Sequence, residues 1–198
     1  ANARLQVEHT VTEEVTGVDL VQSQIRLAEG RSLAALGLDA PGIATPRGYA
    51  IQVRVNMETL RPDGQFRPAG GTLSVYEAPN GPGVRTDGFG YAGYTTSANF
   101  DSLLAKVIVH ARSADFADAV AKTQRALSEF RLEGVGTNIP FLHNILSHPD
   151  LLTGDVHTRW VDEKLKELAA APVLRQRFVV AAAPAAEAAS GGGFAGAR

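Results

Sequence analysis

Polar and apolar residues alternate from the first position of the chain: Ala1, Ala3, Leu5 and Val7 stand against Asn2, Arg4, Gln6 and Glu8. A period of two predicts a half-buried strand over 1–9. From Glu13 to Glu29 the period lengthens. Val18, Val21, Ile25 and Ala28 recur at helical spacing, and Gly30 offers a stop. Residues 37–48, punctuated by Gly37, Pro41, Gly42, Pro46 and Gly48, read as a linker. Alternation returns over 49–57 through Ile51, Val53 and Val55, with Gln52, Arg54 and Asn56 on the other face. The proline- and glycine-rich region 61–99 predicts turns around short strands at 73–76 and 84–85. A longer strand is expected over 103–112, centred on Val107, Ile108 and Val109. A helix is expected over 114–130, with Phe116, Val120 and Leu127 on one face and Ser113 as its N-cap. A short extended piece at 131–136, a helix at 138–147 with Pro140 in its first turn, and a last helix at 158–170 follow. Residues 179–198 are almost wholly Ala, Gly, Pro and Ser, the composition of a flexible linker or tail. The reading is α+β with a mainly antiparallel sheet and flanking helices.

Composition narrows the function classes. Of the 198 residues 44% are hydrophobic, enough for a real core. Nineteen Lys and Arg against 21 Asp and Glu leave a net charge of −2, so neither a nucleic acid nor a membrane surface is expected as a partner. The absence of cysteine excludes disulfides and thiolate chemistry and fits a reducing, cytoplasmic setting. No apolar run approaches the roughly 20 residues of a membrane span. The chain starts at Ala1 without a methionine, and a piece of a longer polypeptide is expected.

Two polar rows could carry chemistry. Asn2, Arg4, Gln6 and Glu8, on one face of a strand, would extend over roughly 20 Å. Amides and a guanidinium around a carboxylate suit a small oxyanion, the arginine fork holding it and the glutamate taking its proton. The same row also fits a polar sheet face with one ion pair, and spacing alone favours that plainer reading. Arg54, flanked by Gln52 and Asn56, either stabilises an anion or is an edge-strand charge. Gly88, Gly90 and Gly93 satisfy GxGxxG, but the following Thr95, Thr96 and Ser97 do not continue a helix, which argues against a dinucleotide site. His143 and His148 lack a third ligand nearby, and the single methionine, Met57, excludes a Met-Lys-Met biotin attachment site.

The run Asn2-Ala3-Arg4-Leu5-Gln6-Val7-Glu8-His9, with Val11-Thr12-Glu13 and Thr16-Gly17-Val18-Asp19-Leu20 behind it, closely resembles biotin carboxylases, the ATP-grasp components of acyl-CoA and pyruvate carboxylases. The resemblance continues through 47–56, Gly83-Val84-Arg85, Tyr91-Ala92-Gly93, Phe100-Asp101-Ser102-Leu103-Leu104-Ala105-Lys106 and Gly136-Thr137-Asn138. It implies the end of an ATP-grasp domain over about 1–40, a biotin carboxylase C-terminal domain over about 46–170, and a linker beyond 179.

The resemblance also implies roles. Enzymes of this family use ATP and bicarbonate to form carboxyphosphate and then carboxylate the N1 of biotin held on a carrier domain. Asn2 matches a ligand of Mg²⁺ or Mn²⁺ at the ATP site. Arg4, Gln6 and Val7 match the bicarbonate-holding positions, Val7 through its backbone. Glu8 matches the base that deprotonates bicarbonate, and Arg54 the arginine that stabilises the biotin enolate. Arg85 matches a position near the family's dimer contact. A carrier domain, a carboxyltransferase and a homo-oligomer are the implied partners. The lid over the phosphates, the nucleotide-contacting lysines and the acidic metal ligands are missing from these residues, so the chain alone is expected to be inactive. Thr10 stands where the family often has proline, and Asn99-Phe100-Asp101 where it often has Tyr-Tyr-Asp. Two other readings stay open: a non-catalytic interaction domain that keeps the fold, and another ATP-grasp ligase such as a carbamoyl-phosphate synthetase.

Overall fold

The computed structural model describes residues 1–40, 42, 45–97 and 100–169. The expected tail at 179–198 lies outside them. Helices α1 (His9–Thr16) and α2 (Leu20–Ala28) and a 3₁₀ turn at Ala34–Leu36 precede the strands. These are β1 (Tyr49–Asn56), β2 (Glu58–Leu60), β3 (Phe66–Pro68), β4 (Val75–Glu77), β5 (Val84–Gly88) and β6 (Leu103–Ala111). Then come α3 (Phe116–Glu129), β7 (Arg131–Glu133), α4 (Ile139–Ser147), α5 (Pro149–Thr153) and α6 (Trp160–Leu168). The principal sheet has the order β1-β6-β5, and β2 with β3 and β4 with β7 form two further pairs. Every one of these pairings is antiparallel, in keeping with the α+β expectation.

Register decides which face of the principal sheet is core. Val53 opposes Val107, Val55 opposes Ala105 and Ile51 opposes Val109. Directly opposed residues of an antiparallel pair point the same way, so these side chains make one apolar face. Helix α3 lays Val120, Ala126 and Leu127 on it, and Phe130 and Leu146 close the cluster. The pattern Ala119, Val120, Thr123, Ala126, Leu127 is the buried stripe of an amphipathic helix. A smaller cluster of Phe141, Trp160 and Leu168 joins α4 to α6.

Several local expectations are corrected. Residues 1–8 form no strand: alternation specifies two faces but not a neighbour, and among the described residues no strand pairs with this segment. Its carbonyls instead open α1, Gln6 accepting from His9 N–H at 3.2 Å and Glu8 from Val11 N–H at 3.2 Å. The single helix expected over 13–29 is two. Gly17 takes φ 74°, a left-handed conformation that ends α1, and Asp19 caps α2 by accepting from Gln22 N–H. The cap of α3 is Asp115, whose carboxylate accepts from Ala117 N–H, while the hydroxyl of Ser113, two residues earlier, accepts from Asp115 N–H. Leu73 pairs its backbone with Gly93 and Tyr94, so β4 begins only at Val75. The last helix begins at Trp160, and the pair β2–β3 and the short α5 have no counterpart in the sequence expectation.

Candidate functional site

The second face of the principal sheet is polar. Its rows run Gln52–Ile108–Arg85 and Arg54–Lys106–Asp87 across β1, β6 and β5. Only Ile108 interrupts the polar set, and it is fully buried. Helix α1 covers this face, and its start delivers the segment Gln6–Val7–Glu8 to the row that holds Arg54. Thr10, also fully buried, donates its hydroxyl hydrogen bond to the Gln52 side-chain oxygen. Thr10 therefore fastens α1 to β1.

Arg54 donates through Nη2 to Glu8 Oε1, an ion pair between residues 46 apart in sequence. Burial pushes the Glu8 carboxyl up. Its own backbone N–H, the Arg54 guanidinium and the Arg4 charge outweigh that, and the carboxyl sits below the ordinary glutamate range. Glu8 is thus a carboxylate at neutral pH, the form that accepts a proton. Arg54 is held from behind: Asn138, 6% exposed, donates to the Arg54 carbonyl at 3.0 Å and accepts from Asn56 N–H at 2.9 Å. The N–H of Asn138 also donates to the Asn56 carbonyl at 3.1 Å, beside a register irregularity between Val55 and Asn56.

Lys106 and Glu13 were not among the expected site residues. Lys106 Nζ lies 3.3 Å from the Val7 carbonyl and 3.3 Å from Asp87 Oδ2. Asp87 in turn accepts from Arg85 Nε at 2.9 Å and Nη2 at 3.0 Å. Glu13 accepts from Arg85 Nη1 at 2.9 Å and from the Leu20 N–H of α2 at 3.0 Å, and lies 3.1 Å from His9 Nδ1. Burial pushes the Glu13 and Asp87 carboxyls up, yet these donors hold both below their ordinary values, and Asp87 raises Arg85 in return. A continuous chain of opposite charges therefore runs from the segment before α1 to the start of α2. The one signal for it in the sequence is a lysine inside the apolar run of β6.

The other expected residues are placed less tightly. Arg4 is exposed and donates to the neighbouring Leu5 carbonyl at 3.3 Å; Asn2 and Gln6 are exposed. Because 1–8 is not a strand, Asn2, Arg4, Gln6 and Glu8 do not form the single-faced row that alternation predicts. Only Glu8 and Arg54 meet directly. Mg²⁺ takes six oxygen ligands, usually with carboxylates and phosphates among them. Asn2 supplies one amide oxygen, and the described residues contain no cluster of three or more His, Asp or Glu able to hold an ion. They do not make a metal site by themselves. A cleft of about 620 Å³ runs along Leu5–Val7, Lys106, Asp87 and Phe100. A larger one of about 1250 Å³ lies between α1 and the sheet edge near Arg47 and Arg112, away from the Glu8–Arg54 pair. Neither cleft is lined by Glu8 or Arg54; the first holds Gln6, Val7 and Lys106 beside that pair. No helix among the described residues is long and apolar enough to cross a membrane.

Residues 52–163 match the biotin carboxylase C-terminal domain family, and residues 1–36 match the ATP-binding domain of the carbamoyl-phosphate synthase L chain. Pyruvate carboxylase 1 of Caenorhabditis elegans is 51% identical over 163 residues, 82% of this chain and 13% of that protein. The mitochondrial pyruvate carboxylase of Homo sapiens is 48% identical over the same length and shares. The chain thus spans about an eighth of these relatives. Among solved structures, a single-chain long-chain acyl-CoA carboxylase superposes with a TM-score of 0.80 at 49% identity, over 85% of this chain and 18% of that one. The biotin carboxylase domain of the Hydrogenobacter thermophilus 2-oxoglutarate carboxylase, solved with MgADP, ADP and bicarbonate, superposes with a TM-score of 0.76 at 38% identity, over 86% and 36%. Because residues 52–163, more than half of the chain and nearly all of the principal sheet, match one family, this chain belongs to the biotin carboxylase C-terminal domain family.

Proposed function

We propose that the chain is part of the biotin carboxylase portion of a biotin-dependent carboxylase, with the end of an ATP-grasp domain over 1–40 and the C-terminal domain over 46–170. The intact enzyme would use ATP and bicarbonate to carboxylate biotin on a carrier domain and pass the carboxyl group to a carboxyltransferase. The observation that carries the reading is the Glu8–Arg54 pair, which joins the two segments whose motifs imply bicarbonate and biotin chemistry.

Glu8, an ionised carboxylate, takes the proton of bicarbonate, so that the resulting carbonate oxygen attacks the γ-phosphorus of ATP and ADP leaves. Carboxyphosphate would then break down to CO₂ and phosphate; that phosphate would take the N1 proton of carrier-bound biotin, and N1 would form its new bond to CO₂. Arg54 offers its planar donors to the negative charge that develops on the ureido oxygen. A preorganised guanidinium lowers the energy of such charge without reorganising during the reaction. Arg4, Gln6 and the Val7 backbone hold bicarbonate beside Glu8. The 1–36 match would equally suit another ATP-grasp ligase, but the Arg54 strand belongs to the matched C-terminal domain and favours biotin.

The test is steady-state ATP cleavage by the intact polypeptide with and without bicarbonate, alongside carboxylation of free biotin. Bicarbonate-stimulated cleavage coupled to biotin carboxylation is expected. A folded intact protein with neither activity would leave the interaction-domain reading.

A further inference from the structure

Lys106 sits at the centre of the polar row, directly opposite Arg54 on one side and Asp87 on the other. Its side chain is only 14% exposed, and its ammonium group is shared at 3.3 Å between Asp87 Oδ2 and the Val7 carbonyl. The first contact neutralises the charge. The second is of another kind: it reaches off the sheet to the backbone of a segment that has no strand or helix of its own. A peptide unit is planar and trans, so the Val7 C=O and the Glu8 N–H point in opposite directions. Aiming that carbonyl at Lys106 turns the Glu8 N–H away from the sheet, where it meets the Glu8 carboxylate. Asp87, gripped twice by Arg85, fixes the ammonium in turn.

We propose that Lys106 is a positioning residue that sets the Val7–Glu8 peptide, and through it the bicarbonate-holding segment Gln6–Val7–Glu8, against Arg54. The inference rests on the functional reading above for the identity of the anion. In this assignment Lys106 acts through the Val7 carbonyl and not on the reacting atoms. A lysine needed only to fill the sheet would be satisfied by Asp87 alone.

The test uses the intact carboxylase with Lys106→Met, Lys106→Gln and Lys106→Arg. Loss of a charge-assisted hydrogen bond to a positioning carbonyl should raise KM for bicarbonate roughly tenfold in Lys106→Met, with KM for ATP changed less than about twofold. Arginine, which keeps charge and donors, should restore KM to within about threefold of wild type. Amide hydrogen exchange at residues 7–9 should quicken roughly tenfold in the Met variant, independently of turnover. An unchanged bicarbonate KM, parallel rises in both KM values, or unaltered exchange would overturn the proposal. If Lys106→Met does not fold, Lys106→Gln carries the same expectations, and loss of the folded state in both also overturns it, because Lys106 would then hold the sheet itself. A wild-type enzyme without bicarbonate-dependent ATP cleavage would instead refute the functional reading, and the exchange measurement would still decide whether Lys106 sets this peptide.

Discussion

Arg54 on β1 and Glu8 at the start of α1 form an ion pair in which each side chain is about half exposed, at 46% and 48%. Pairs this open contribute little to stability, about 0–1 kcal/mol, because water screens them. Arg54→Ala should therefore change unfolding free energy by less than about 1 kcal/mol, a shift of a few degrees in Tm. In the intact enzyme the same substitution should lower biotin carboxylation roughly 100-fold or more, and bicarbonate-dependent ATP cleavage by clearly less. Equal losses in both reactions would assign Arg54 to bicarbonate binding or to structure.

Glu13 is different, because it is 10% exposed and collects Arg85, the Leu20 N–H and His9. Its folded pKa lies below its ordinary value of 4.5. A carboxylate depressed in the folded state stabilises above its unfolded pKa, and that contribution disappears as pH falls through the folded value. Glu13→Gln should cost about 2 kcal/mol at pH 7, read from denaturant unfolding. The difference from wild type should shrink progressively below about pH 4.5. A pH-independent difference would show that shape, and not charge, makes Glu13 matter.

Asn138 makes three hydrogen bonds to the backbone of Arg54 and Asn56, two of them through a side chain that is almost completely buried. Asn138→Ala strands an N–H and a carbonyl, and should destabilise the protein by about 2–4 kcal/mol. Because the freed backbone lies at Arg54, biotin carboxylation should fall more than ATP cleavage does. A loss of stability with no change in the ratio of the two rates would confine Asn138 to the fold.

The elements legible in the sequence are those whose pattern and packing agree. Ile51, Val53 and Val55 alternate because one face of β1 meets α3, and Ala119, Val120, Thr123, Ala126 and Leu127 recur because α3 buries one stripe. Where a period lacks a partner it misleads: Leu5 and Val7 alternate with Gln6 and Glu8, yet no strand among the described residues pairs with them. Helical spacing also runs through Gly17, whose left-handed backbone breaks the helix in two. Strands of three residues, such as Glu58–Leu60 and Phe66–Pro68, are too short to show any period. At the site, Glu8 and Arg54 were recognisable from their motifs. Lys106, Asp87 and Glu13 were not, since their roles depend on a register that brings β5 and β6 under α1, and no local spacing encodes that juxtaposition.

The central claim is that Glu8 is the base for bicarbonate, and Glu8→Gln in the intact polypeptide tests it most directly. Glutamine keeps the shape and an acceptor for Arg54 but cannot take the proton. Bicarbonate-dependent ATP cleavage should fall at least about 100-fold, the usual worth of a positioned general base, while KM for ATP changes less than about twofold. Turnover at the wild-type rate would contradict the account.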